Sequence, residues 1–172
     1  WYFKGAYDSA AVYYYKALDI LTKSNDLLKK AGVLNELGKL YRKTRDLDRS
    51  LQMYDDAFSI YKNLDDESNM ATILNESGVV FEYRGDYDEA IKRYKASLEI
   101  REKLNDDVGK GYSYNFLGGV YTLQKKFTEA EKYLLKSLEI REQLKDSFSI
   151  ALSHGDLGYM YKEQGQLDQA TE

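Results

Sequence analysis

The sequence predicts an all-α solenoid, built from antiparallel helix hairpins stacked side by side. Three observations predict it. Gly38, Gly78, Gly118 and Gly158 stand forty residues apart. Asp26, Asp66, Asp106 and Asp146 keep the same spacing, as do Tyr41, Phe81, Tyr121 and Tyr161, and Ile20, Ile60, Ile100 and Ile140. A fixed period of this length marks a stacked-repeat architecture. Proline is absent from all 172 residues, so nothing forbids long helices. Within each period, apolar residues recur at helical spacing between residues suited to start and stop helices.

The chain opens in a half repeat, residues 1–25, where Lys4-Gly5-Ala6-Tyr7-Asp8 reads as a turn and Ala10 as the small residue after it. The first full repeat covers 26–65, with its turn at Thr44-Arg45-Asp46-Leu47-Asp48 and Ser50 as the small residue. The second, 66–105, is the most legible. Asp66 suits an N-cap, because its side-chain oxygen accepts an orphan backbone N–H. Ala71, Leu74, Gly78 and Phe81 follow on one helical face. Gly85 is placed to take the left-handed conformation that closes a helix. Asp88 reads as the cap of the second helix, whose apolar face is Ala90, Ile91, Tyr94, Ser97, Leu98, Ile100 and Leu104.

The third repeat, 106–145, turns at Lys125-Lys126-Phe127-Thr128, and Thr128 with Glu131 reads as a capping box. Ala130 is its small residue. A final partial repeat, 146–172, supplies a helix from about Ser147 to Gln164, a turn at Gly165-Gln166-Leu167-Asp168 and the small Ala170. Glycine inside a helix costs about 1 kcal/mol relative to alanine, so its recurrence at one phase implies close helix packing.

These residues resemble the tetratricopeptide repeat. Leu34, Leu37, Gly38, Tyr41, Ser50, Tyr54 and Ala57 match its pattern, as do Leu74, Gly78, Phe81, Gly85, Ala90, Tyr94 and Ser97, and again Leu117, Gly118, Tyr121, Ala130 and Ser137. The resemblance covers 1–172 as a single array. It implies a right-handed superhelix whose first helices line a concave groove. Two features depart from the usual pattern: the unit is forty residues rather than thirty-four, and the proline that often ends the second helix is missing. The longer form is similar to repeats of kinesin light chain, spindle-orientation scaffolds, Rap-type regulators and bacterial sensor kinases. The Leu-Glu-Ile-Arg-Glu runs at 98–102 and 138–142 are closest in flavour to the bacterial signalling versions.

Composition excludes several classes. Net charge is −4, without the basic footprint of a nucleic-acid binder. There are no cysteines, hence neither disulfides nor thiolate metal sites. No apolar run approaches the roughly 20 residues that span a bilayer. No signal peptide is visible. The compartment stays open, with the cytoplasm favoured, and the chain reads as a piece of a longer protein. His154, the sole histidine, falls at the phase of Leu34, Leu74 and Tyr114 and reads as a packing residue. Asp65-Asp66-Glu67 and Asp106-Asp107 read as helix caps, since they lack the spaced oxygens and central glycine of a calcium loop. Gly118-Gly119 lies inside a helix pattern with no following Lys-Ser/Thr, so it is not a phosphate loop. No set of catalytic side chains assembles and no cofactor is implied. The expectation is a non-enzyme.

The groove phase supplies the candidate site. Asn35, Asn75 and Asn115 hold one position in three successive repeats, and Gly155 ends the series. An amide side chain both donates and accepts, so such a column grips an extended peptide backbone. The resemblance implies this role, because similarly placed asparagines hold peptides in kinesin light chain and Rap-type regulators. The alternative reading is that each asparagine bonds the neighbouring repeat. Lys39, Arg42, Glu82, Tyr83, Tyr112 and Tyr159 flank the column and would select side chains. The carboxylate clamp of chaperone-binding tetratricopeptide domains is not expected, because its Lys phase holds Asn here and its partner Asn phase holds Lys39, Val79, Gly119 and Tyr159. The expected partner is a protein or peptide segment, bound by a module that serves as interaction or input domain of a larger, bacterial signalling protein. The other function class is a scaffold for self-association, with Leu157, Met160 and Tyr161 of the last helix exposed.

Overall fold

The computed structural model describes the backbone of residues 2–165 and the side chains of residues 7–165. Among them run eight helices: α1 (Tyr2–Ser24), α2 (Leu27–Lys43), α3 (Leu47–Asn63), α4 (Glu67–Arg84), α5 (Tyr87–Lys103), α6 (Asp107–Leu123), α7 (Phe127–Gln143) and α8 (Ser147–Gln164). The fold is an all-α repeat fold. Two compact units divide after Gly85, the first with α1–α4 and the second with α5–α8.

The helices follow a twenty-residue rhythm, half the sequence period. Left-handed backbone recurs at Asn25, Arg45, Asp65, Gly85, Asn105, Lys125, Lys145 and Gly165. The turns within hairpins and those between them are therefore built alike. The residue after the left-handed one sends its backbone N–H five residues back: Asp46 to the Tyr41 carbonyl at 2.9 Å, Asp66 to Tyr61 at 2.9 Å, Lys126 to Tyr121 at 2.9 Å, Asp146 to Arg141 at 3.1 Å. This closes the helix in the Schellman manner. The same residue then opens the next helix. The carboxylates of Asp26, Asp46, Asp66, Asp106 and Asp146 accept the N–H groups of Lys29, Arg49, Asn69, Gly109 and Ser149.

That economy displaces two expected caps. Asp86 is the N-cap of α5 and Lys126 that of α7. Asp88 instead sits in the first turn, where its carboxylate accepts from Gln124 Nε2 at 3.0 Å. Thr128 likewise lies within the first turn of α7, so no capping box forms, and Glu131 accepts from Tyr161 Oη at 2.5 Å. The turn expected at Lys4–Asp8 is also absent, because α1 runs through it. Of the expected turn at 165–168, Gly165 has a left-handed backbone; Gln166, Leu167, Asp168 and Ala170 lie outside the described residues.

Packing follows the small residues. In the first unit Ser50 and Ala57 of α3 are fully buried, and Ser50 Oγ donates to the Gly38 carbonyl of α2 at 2.8 Å. A methyl group on Gly38 would lie 2.5–2.8 Å from three carbons of the Tyr54 ring. In the second unit a methyl on Gly118 would meet Leu134 Cγ at 2.5 Å. The close approach implied by the periodic glycines is real at both positions. Aromatic stacking adds to it: Tyr94 on Phe116 at 5.1 Å, and Tyr133 between Tyr114 at 6.1 Å and Tyr121 at 5.5 Å.

Two expectations about α8 are corrected. Leu157 and Met160 are buried with Ala130 and Leu134, and Tyr161 packs against that cluster, so none of the three forms an exposed patch. The exposed apolar residues of α8 are Phe148, Leu152 and Tyr159. His154 is exposed rather than packed. Its phase faces the second helix of its own repeat, as the Tyr114–Tyr133 stack illustrates.

Candidate binding face

The first helices of the three full repeats and of the final partial one carry every expected site residue. In the first unit these are α2 and α4, which touch each other, and in the second α6 and α8, which also touch. The i, i+4 spacing of an α-helix sets Asn35 beside Lys39 on α2 and Asn75 beside Val79 on α4.

Asn35 is half-buried, and its Oδ1 is shielded from solvent with no hydrogen-bond partner among the described residues. Asn75 is buried, with only 6% of its surface exposed. Lys39 Nζ pairs with Glu36 at 2.8 Å. Arg42 reaches across to α4 and pairs with Glu76 Oε2 at 2.9 Å, both side chains largely sheltered. Tyr54 Oη donates to the same carboxylate oxygen at 3.4 Å. Burial, reinforced by the Glu76 charge, pushes the Tyr54 phenol well above its ordinary range. Arg42 is thereby committed to joining two repeats. Glu82 is half-buried, whereas Tyr83 is half-exposed, its ring covered on one side by the Arg45 guanidinium at 4.2 Å.

In the second unit Asn115 is half-buried, and its Oδ1 accepts from Arg141 Nη1 at 3.1 Å. Tyr112 and Tyr159 are half-exposed. The structure thus brings Asn115 and Tyr112 together around Arg141, whose guanidinium lies 5.6 Å from the Tyr112 ring centre.

Arg141 was not singled out by sequence reasoning, nor was its counterpart Arg101. Both lie in the Leu-Glu-Ile-Arg-Glu runs, at a phase where the first full repeat has Tyr61. All three side chains are buried. A charged residue at a phase held by Leu21 and Tyr61 in the earlier repeats is the signal that would have found them. The two arginines differ in use. Arg101 Nη1 pairs with the cap carboxylate of Asp106 at 2.6 Å. That pair fits because residue 109 is glycine: a Cβ there would lie 2.5 Å from Asp106 Oδ2 and 2.6 Å from Arg101 Nε. Forty residues on, the position is Ser149, whose hydroxyl donates to Asp146 Oδ2 at 2.6 Å. The cap carboxylate is then occupied. Its carboxyl is held below the usual range, first by the Ser149 hydroxyl and then by the Ser149 backbone. Arg141 turns to neutral acceptors instead: Asn115 Oδ1, the Ser149 carbonyl at 3.1 Å and Ser153 Oγ at 2.7 Å. Burial lowers the guanidinium's hold on its proton, opposed in part by the nearby Asp156; an arginine stays charged regardless.

A tetratricopeptide repeat profile matches residues 29–103, 69–143 and 107–172, which together run from the first turn of α2 through α8. The chain belongs to the tetratricopeptide repeat family. Its structure is similar to BtubC (BKLC) from P. vanneervenii, with a TM-score of 0.84 at 23% identity over 98% of this chain and 70% of that one. It is also similar to the apo form of RapI, with a TM-score of 0.83 at 21% identity, covering 98% of this chain but only 47% of RapI. A putative kinesin light chain from Podosopora anserina matches with a TM-score of 0.78 at 16% identity, over 98% of this chain and 83% of that one. At these identities the likeness is one of fold. No curated protein matches in sequence.

Tetratricopeptide repeats are protein-interaction modules, and this chain is one by family and fold. Among the described residues, no group of three or more His, Asp or Glu is placed to hold a metal ion. None of the described helices is long and apolar enough to cross a membrane.

Proposed function

We propose that this tetratricopeptide array binds an extended peptide or protein segment along its first helices, without catalysis, as the interaction or input region of a larger signalling protein. The forty-residue period runs unbroken from 26 to 145, and we read 1–172 as one array. The observation that carries the binding reading is Asn35. Its Oδ1 is hidden from water and lacks a partner among the described residues. A buried acceptor left unmade costs free energy, and a peptide N–H would satisfy it. Asn115 plays the complementary part: its oxygen accepts from Arg141, which leaves its Nδ2 to donate to a peptide carbonyl. Asn75, being buried, acts mainly in packing and contributes to binding only alongside its neighbours. Tyr83, Tyr112 and Tyr159 offer rigid, half-exposed rings for side-chain contacts. Lys39, Arg42 and Glu82 set the local charge, and because Lys39 and Arg42 are already paired they select weakly.

The test is panning of random displayed heptapeptides against the chain, followed by calorimetry of the selected peptides on Asn35→Ala. Peptide binding that weakens severalfold with an unchanged melting curve supports the reading. Unchanged binding with a large loss of stability refutes it in favour of packing.

A second reading, self-association, is favoured by Phe148 and Leu152 on α8, which are 75% and 47% exposed one turn apart. Light scattering over a concentration series decides it, and a monomer throughout counts against it.

A further inference from the structure

We propose that a hollow beside Arg141 receives the carboxylate of an acidic side chain carried by the bound segment. This rests on the peptide-binding reading and assigns that site a ligand chemistry. The hollow, of about 230 Å³, lies between Gly111 and Tyr112 of α6, Arg141 of α7 and Leu144 at its C-cap, and Asp146 and Ser149 at the start of α8.

Arg141 is only 5% exposed. Its Nη1 serves all three of its acceptors, which are an amide oxygen, a backbone carbonyl and a hydroxyl. Among the described residues no carboxylate lies within ion-pair distance of it, and its Nε–Nη2 edge meets no acceptor. A buried cation held only by neutral groups is incompletely compensated. The free edge is the one that engages a carboxylate through two parallel hydrogen bonds. Arg101 marks the contrast, since the same residue type one repeat earlier spends its charge on Asp106. The Gly109-to-Ser149 difference is what releases Arg141 from its own cap.

The surroundings suit the role. Val108, Tyr112 and Leu144 form a half-exposed apolar rim, which sheds water and strengthens a charged hydrogen bond inside. Gly111 adds no side chain to the hollow, and a methyl there would sit 3.9 Å from Arg141 Nε. Asp146 shares the hollow, and its charge opposes an incoming anion, as does that of Asp156, which acts on Arg141 more strongly than Asp146 does. Both Asp146 oxygens are already engaged by Ser149, at 3.2 Å and 2.6 Å. It therefore weakens the field of Arg141 without occupying its free edge.

The experiment uses heptapeptides selected from a random display library against the intact chain. The selected peptides should share a Glu or Asp at one position. Replacing it with Gln should lower affinity about tenfold or more on the natural chain and change nothing on Arg141→Gln. Peptides that bind without an acidic position, or a Gln replacement that weakens both proteins equally, would overturn the carboxylate site while leaving peptide binding intact. Retention of no peptide would sink the underlying reading and this one with it. Should Arg141→Gln fail to fold, the natural chain decides: the Arg141 Nε–H resonance should shift on adding the acidic peptide and stay put with its Gln version, and equal shifts would refute the proposal.

Discussion

Replacing Gly38 by alanine separates two opposing effects of known sign. An alanine in a helix interior is favoured over glycine by about 1 kcal/mol. Against that, the new methyl would lie 2.5, 2.7 and 2.8 Å from three ring carbons of Tyr54. The ring is fully buried, and its hydroxyl is tied to Glu76, which also holds Arg42. It cannot swing aside without disturbing that trio. Overpacking a filled core costs about 1–3 kcal/mol, and three contacts to one rigid ring place this substitution near the upper end. The net effect is a loss of about 2 kcal/mol, or about 4–8 °C in Tm for a chain of this size. Gly32→Ala and Gly119→Ala provide internal controls, because nothing lies within 4 Å of either new methyl. Each should gain about 1 kcal/mol. Urea unfolding followed by circular dichroism measures all three. Should Gly38→Ala prove as stable as Gly119→Ala, the close-packing explanation of the periodic glycine is wrong.

Asp66→Ala removes the bond to the Asn69 N–H at 3.1 Å and should cost about 1 kcal/mol, measurable in the same urea titration. Lys125→Gly relieves a left-handed backbone at φ 58° and should raise the melting temperature, since a side chain there costs about 1 kcal/mol or more. High pH should destabilise the chain through its tyrosines. The Tyr15 phenol is pushed up to about 12, chiefly by its bond to Tyr41, and that of Tyr161 to about 12 by its bond to Glu131. Folded values above the unfolded one give stability that is complete below about pH 10 and is lost as pH climbs toward 12. Tyr161→Phe should flatten the decline between those limits in an alkaline titration.

The repeat and its phases were legible in the sequence because several independent residue types agree on one spacing. The carboxylate caps at 26, 66, 106 and 146 were legible for the same reason, as was the left-handed Gly85. The within-hairpin caps were not. Asp88 and Thr128 suit a helix's first turn as well as its cap, so residue type could not choose between positions two apart. Arg45, Lys125 and Lys145 take a left-handed backbone that their side chains do not advertise. At the candidate site, phase placed the asparagines on the right helices but could not grade their burial. Asn75 is enclosed, whereas Asn35 and Asn115 are half-open, because each depends on what its neighbours contribute. Arg141 is the sharpest case: where its charge goes is decided by whether a residue eight positions further along has a side chain.

Because one residue both finishes a helix and begins the next, the described chain between Asn25 and Gly165 carries almost no slack. Inserting a single amino acid at any of these corners would rotate the entire following rod and misalign every contact it makes. Change by insertion is thereby discouraged, while copying a whole forty-residue hairpin with its corners leaves the geometry of the joints untouched. Novelty in such a molecule accumulates through duplication and through substitutions on the open sides of the rods, with the corners held constant.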